Sequence, residues 1–126
     1  TKRMTSAELK TLRENLGLSQ NWLSKQCGVR LRTLARWEAG SKVPDDVSDL
    51  MFRLSGLRDM LAEGMANSSD PLDRYKVDEQ LWADHPEFDG FPAMFHATAL
   101  CAAQKKTALN GSDVQINYAG AGNERI

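Results

Sequence analysis

The sequence predicts a mainly α-helical chain in two parts, a bundle of short helices followed by a small α(+β) region. Three observations predict it. Between Leu18 and Gly40, two short helical patterns flank a single glycine, with a hydroxyl residue ahead of the first. Apolar residues then keep helical spacing from Val47 to Met65. Beyond Asn67 the pattern breaks into shorter, mixed pieces. These shifts divide the chain into residues 1–66 and 67–126.

Taken in order, Met4 is expected to be the natural start, with residues 1–3 a remnant ahead of it. Without Lys2 and Arg3 the head would lose two positive charges. Thr5-Ser6-Ala7-Glu8 fits a capping box, with Thr5 as the helix N-cap and Glu8 reaching back to it. Leu9, Leu12 and Leu16 form one apolar stripe, and Gly17 ends this first helix. Arg13 lies beside the stripe and is expected to reach Glu38, tying the first helix to the third.

Ser19 is the expected N-cap of a second helix, from about Gln20 to Cys27, because its hydroxyl can accept a first-turn N–H. Leu23 and Cys27 sit one above the other on it. Gly28 supplies the positive φ that ends a helix at little cost, and Val29 plugs the angle that follows. The third helix runs from about Leu31 to Ala39 and stops at Gly40. Helix, tight glycine turn and helix make the helix-turn-helix unit that carries a reading helix into DNA.

The third helix has two different faces. Thr33, Leu34, Trp37 and Glu38 share one, which is expected to pack inward. Leu31, Arg32, Ala35 and Arg36 share the other. Arginine can fork onto guanine O6 and N7, while Leu31 and Ala35 can meet a thymine methyl. That composition suits a reader of the major groove.

Charge supports the same reading. The 126 residues carry a net −1, which conceals a split. Residues 1–43 hold nine Lys/Arg against three acids, a net of +6, and residues 44–126 hold seven against fourteen, a net of −7. A basic head on an acidic tail confines phosphate contact to the head.

Val43-Pro44-Asp45-Asp46 opens a long helix, with Pro near its first position and acids at its positive end. Val47, Leu50, Met51, Leu54, Leu57, Leu61 and Met65 carry it for about five turns at 3.6 residues each, although Gly56 and Gly64 weaken it. Its first half is expected to close the head and its second half, from about Leu57, to leave it. Ala66 to Pro71 reads as a linker. Leu72 to Lys76 alternates like a short strand. Val77 to Asp84 reads as a short helix stopped by His85-Pro86, and Glu87 to Pro92 as a loop. Ala93 to Leu109 is an alanine-rich helix with an expected stripe of Met94, Ala97, Leu100, Cys101 and Leu109, ended by Asn110-Gly111. Val114 to Tyr118 is a candidate strand, and Gly120 to Ile126 is expected to be loose.

The matched positions in the head have a family likeness. Leu9-x-x-Leu12-Arg13, Gly17-Leu18-Ser19-Gln20-x-x-Leu23-Ser24, Gly28-Val29, Thr33-Leu34, Trp37-Glu38-x-Gly40 and Pro44, at this spacing, resemble the phage-repressor (Cro/xre-type, lambda-repressor-like) helix-turn-helix family up to about Leu57. The resemblance implies operator binding as a dimer. It implies that Arg30, Leu31, Arg32, Ala35 and Arg36 face bases. It places Ser19, Gln20, Asn21, Thr33, Ser41 and Lys42 at phosphates, and Arg13 and Glu38 at the family's ion-pair positions. Members often carry small polar residues where Arg30 and Leu31 stand, so no operator sequence carries over. The Met4-Thr5-x-x-Glu8-Leu9 start, the run from Trp37 to Val47 and the small tail also resemble the anti-CRISPR-associated autoregulators, which implies repression of the chain's own operon. Some of that group are thought to bind RNA, so RNA stays open as a partner.

The tail has few residues with which to bury its own aromatics. Trp82, Phe88, Phe91, Met94 and Phe95 are therefore expected to pack against a second copy of the chain. Two copies would set two reading helices about 34 Å apart, one turn of DNA.

Catalytic and metal chemistry find no constellation here. His85 and His96 lack Cys or carboxylate partners at ligand spacing, and no glycine loop resembles a phosphate cradle. Asp45-Asp46 and Asp78-Glu79 read as helix-start acids. Cys27 and Cys101 make no motif and read as small buried residues in a reducing compartment. No metal, cofactor, small-molecule ligand or membrane span is expected. The expectation is a cytoplasmic, dimeric repressor of double-stranded DNA, in a bacterium or a phage-infected host. An antitoxin and an RNA-binding regulator are the alternatives.

Overall fold

The structure, a computed structural model, describes residues 3–68, 70–109, 111 and 114–120. Among these the chain is mainly α-helical, with six α-helices and one two-stranded sheet. It divides into two compact units, residues 1–57 and 58–126. The expected boundary after residue 66 compares with a division inside a continuous helix, between Leu57 and Arg58.

The first unit begins with α1, Ser6–Asn15. The capping box is formed: Thr5 Oγ1 accepts the Glu8 N–H at 3.1 Å and Glu8 Oε1 accepts the Thr5 N–H at 2.9 Å. Two otherwise unpaired backbone donors are satisfied reciprocally. Helix α2, Gln20–Cys27, is capped by Ser19, whose Oγ accepts the Trp22 N–H at 3.0 Å. Gly28 ends it at φ 69°, and the Val29 N–H folds back onto the Ser24 carbonyl at 3.0 Å. A Cβ at that φ would be strained, so the turn favours glycine. Helix α3 spans Leu31–Ala39 and α4 spans Asp45–Ala66 without a break, despite Gly56 and Gly64.

Leu9, Leu16, Leu23, Leu34 and Met51 have no exposed surface and form the centre of this unit, with Leu18, Val43 and Val47 around them. Leu12, expected on the stripe, is half-buried at its edge. The backbone entering α1 is tied to α4, where Met4 N–H donates to the fully buried Ser48 Oγ at 3.1 Å. Burial pushes the Cys27 thiol up, and the Asp46 carboxylate adds to the shift, so this sulfur stays protonated.

The second unit contains the C-terminal turns of α4, then β1 (Leu72–Arg74), α5 (Asp78–Asp84), a 3-10 turn over Pro86–Phe88, α6 (Ala93–Leu109) and β2 (Ile116–Tyr118). The strands pair in parallel, Leu72 beside Ile116 and Arg74 beside Tyr118. Parallel strands need a long crossover, which α5 and α6 supply. The Asp78 carboxylate accepts the Ala93 N–H at 2.7 Å and so caps the start of α6. Asn110 and residues 121–126 lie outside the described residues, and with them most of the expected loose end.

Two expectations for this unit need correction. The stripe of α6 has a different phase. Ala93, His96, Ala99, Leu100, Ala103 and Thr107 are buried, while Met94, Cys101 and Leu109 are exposed, Leu109 to 88%. An alanine-rich helix is apolar nearly all round, so its sequence carries little contrast to set the phase. The second correction concerns the aromatics. Phe95 is 0% and Phe88 6% exposed within the single chain, so neither waits for a second copy. Phe95 stacks on Phe91 with ring centroids 5.0 Å apart, and Phe88 meets His96 edge-on at 5.1 Å. Trp82 is half-buried and donates its indole N–H to the Phe91 carbonyl at 2.7 Å. Met94 is the member of that set that projects outward, 53% exposed.

A ring cluster fills the middle of the unit. His96 stacks on His85 at 6.1 Å, and Tyr75 lies edge-on to both. Tyr75 donates its O–H to Asp84 at 3.1 Å, and burial together with that carboxylate pushes its phenol up to about 12. Burial, reinforced by His85 and opposed by Glu87, pushes the His96 imidazole down to about 4. Unfolding returns this group to its ordinary value near 6.5, so the unfolded chain binds the extra proton between those limits. The second unit therefore loses about 2–3 kcal/mol as pH falls from 6.5 towards 4, and none of this above 6.5. Urea unfolding across that range measures the slope, and His96→Phe should flatten it.

Candidate nucleic-acid interface

The candidate surface is the outer side of α3, and its orientation depends on a junction behind it. Glu38 points inward from α3, with its side chain 4% exposed. Arg13 of α1 forks onto it, Nε donating to Oε2 at 2.6 Å and Nη2 to Oε1 at 3.1 Å. The remaining Arg13 nitrogen, Nη1, donates to the Leu18 carbonyl at 2.9 Å in the turn before α2. Gln20, the first residue of α2, donates its Nε2 to Glu38 Oε1 at 3.0 Å. One carboxylate thus joins three helices. Paired donors at fixed angles set rotation as well as distance, which a purely apolar contact does less well.

With Leu34 buried and Trp37 and Glu38 turned in, the opposite face of α3 meets solvent. Arg32 and Arg36, one turn apart, are exposed there, and Leu31 is 48% exposed. Ala35, between them, is half-buried. Arg30 precedes the helix with extended backbone and makes no side-chain cap, so its exposed guanidinium is not engaged in holding the helix end. A large apolar side chain exposed beside three arginines has no packing explanation within the unit.

The residues expected at phosphates differ in exposure. Ser19 and Asn21 are exposed at the start of α2, and Ser41 and Lys42 are exposed after α3. Gly40 reaches φ 133° there, and the Ser41 N–H donates to the Arg36 carbonyl at 3.0 Å, which fixes how the chain leaves the helix. Ser6 Oγ holds the Ser41 carbonyl at 3.1 Å from α1. Thr33 is half-buried. Gln20 is half-buried, and one of its amide hydrogens is directed at Glu38. Its part in the junction has no local signal, since it links positions 18 residues apart.

Among the described residues no group of three His, Cys, Asp or Glu is placed to hold a metal ion, and no helix is long and apolar enough to cross a membrane. Comparison with curated proteins gives no match for the chain. Residues 6–59 match the family model described as a helix-turn-helix domain.

Proposed function

We propose that the protein is a sequence-specific DNA-binding transcription regulator, acting as a homodimeric repressor of its own operon. One observation carries the reading. Two arginines and an exposed leucine lie on a helix whose opposite face is fixed by a buried ionic junction, with a third exposed arginine, Arg30, just ahead of it. Presented this way, α3 enters a major groove with Arg32 and Arg36 at base edges and Leu31 against a thymine methyl. Exposed Ser19, Asn21, Ser41 and Lys42 would hold the two phosphate backbones in this reading. Repression is steric: DNA covered by the protein excludes polymerase, and the protein's own abundance sets the level.

A single short helix has too few contacts for tight operator binding, so a dimer reading two half-sites is part of the proposal. Met94, with the half-exposed rims of Trp82 and Phe91, supports the second unit as its surface. The anti-CRISPR-associated type of autoregulation is carried by the resemblance of the head and tail sequences. The deep, narrow major groove of A-form RNA excludes a reading helix, which favours DNA.

A mobility-shift assay on the DNA immediately upstream of the gene tests this, with an RNA hairpin and unrelated duplex as competitors. A shifted complex resistant to both supports it, and equal competition by the hairpin moves the reading to RNA. Lys42→Ala separates positioning from reading. It should weaken binding to all duplexes alike and reduce the slope of log affinity against log salt by about 1.

A further inference from the structure

The outer face of α3 pairs an apolar side chain with a charged one at the end that leads. Leu31 opens the helix and is 48% exposed, whereas every other leucine of residues 1–57 is buried or half-buried. Arg32 follows it and is exposed too. Side chains of successive helical residues leave the axis about 100° apart, and both lean toward the helix N-terminus. The N-terminal residues of a reading helix are the ones that meet base edges. Leu31 and Arg32 are therefore set to reach neighbouring positions in one groove. The second such pair, Ala35 with Arg36, lies one turn further along, and its apolar member is short and half-buried. Among the described residues Arg32 takes part in no salt bridge. The one acid of α3, Glu38, is held inward by Arg13 and Gln20. No carboxylate of the helix itself competes for the Arg32 guanidinium.

We infer that Leu31 and Arg32 together read a C5-methylated pyrimidine followed by guanine, so that C5 methylation of cytosine adds the same contact that thymine makes. This rests on α3 being the reading helix, and it names the class of duplex that helix takes. Arg32 forks onto guanine O6 and N7. The pyrimidine on the 5′ side of that guanine presents its C5 edge in the same groove, beside the fork. Thymine carries a methyl group there. Cytosine methylated at C5 carries that group at the same ring position, while uracil and plain cytosine carry hydrogen. Leu31 has no side-chain donor or acceptor, so it senses the methyl group and not the oxygen or amine next to it. Burying one such carbon against leucine corresponds to about a fourfold gain in affinity. Methylation of cytosine at such a step strengthens binding, which makes repression responsive to the methylation state of the operator.

The test begins with the operator that the full chain selects from a randomised duplex pool. At the pyrimidine beside the guanine, four duplexes are compared at one salt concentration: thymine and uracil opposite adenine, cytosine and 5-methylcytosine opposite guanine. Within each pair only the methyl group differs. For each half-site, thymine should bind about fourfold tighter than uracil, and 5-methylcytosine about fourfold tighter than cytosine. Leu31→Ala should bring both ratios to about one, and a thermal melt checks that it folds, as alanine at an exposed helical position should. Arg32→Ala in the same assay tests the reading of α3 separately. If no operator is selected, or if Arg32→Ala leaves the choice of guanine intact, α3 is not the reader and the inference falls with that reading. If guanine is chosen through Arg32 but no pyrimidine precedes it, if uracil binds as thymine does and cytosine as 5-methylcytosine does, or if Leu31→Ala keeps both ratios, the reading stands and the inference alone is overturned.

Discussion

With Glu38 replaced by Leu, the first unit unfolds about 3–5 kcal/mol more easily than the parent. The size follows from what is left behind. Arg13 has only 10% of its side chain exposed, and two of its three hydrogen bonds end on Glu38. Without the carboxylate, a guanidinium remains in a nearly dry site with a single carbonyl partner. An uncompensated buried charge costs far more than the pair contributes relative to well-packed apolar residues. The double change Arg13→Met with Glu38→Leu should therefore recover most of the loss. Urea unfolding followed through Trp22 and Trp37 fluorescence measures both. A single-variant loss below about 1 kcal/mol, the ordinary value of an exposed pair, would show that the junction is solvated. The double variant has a second use. If it is stable yet reads DNA less selectively, the junction's role is to set the rotation of α3.

The parts of this structure that are legible in the sequence are those decided locally. Thr5 with Glu8, Ser19 with Trp22 and Gly28 with Val29 are interactions within one turn, so residue type and spacing state them directly. The unbroken α4 follows from apolar spacing that two helical glycines do not interrupt. Where non-local packing decides, the sequence is a poorer guide. Phe88 is buried because a 3-10 turn at Pro86 returns it to His96, a contact between separate elements. The phase of α6 is set by its neighbours, because alanine on every side leaves no preferred face. His96 looks like an ordinary helix residue until Tyr75 and His85 close around it. The outward set on α3 is different. Its arginines need no partner within the chain, so a helical projection is enough to place them outside.

Arg32→Ala should cost about 1–3 kcal/mol of operator binding and relax the choice of base at a single position, without changing stability. The argument separates it from Lys42. A fork of two N–H donors onto guanine O6 and N7 is lost as a unit, and no other base offers that acceptor pair in the same place. Loss of a phosphate contact instead affects every sequence equally. Arg32→Lys sharpens the test, because lysine keeps the charge but not the planar fork, so salt dependence should survive while base choice relaxes. Arg36→Ala should behave like Arg32→Ala at a neighbouring base pair, since the two guanidinium groups stand one turn apart on the same exposed face. Selection from a randomised duplex pool, repeated for each variant, reads the preference position by position. Unchanged preference in both alanine variants would remove α3 as the reading element, however exposed its arginines are. A uniform loss across all positions would make them phosphate clamps and move base reading to Arg30 and Leu31 at the start of the helix.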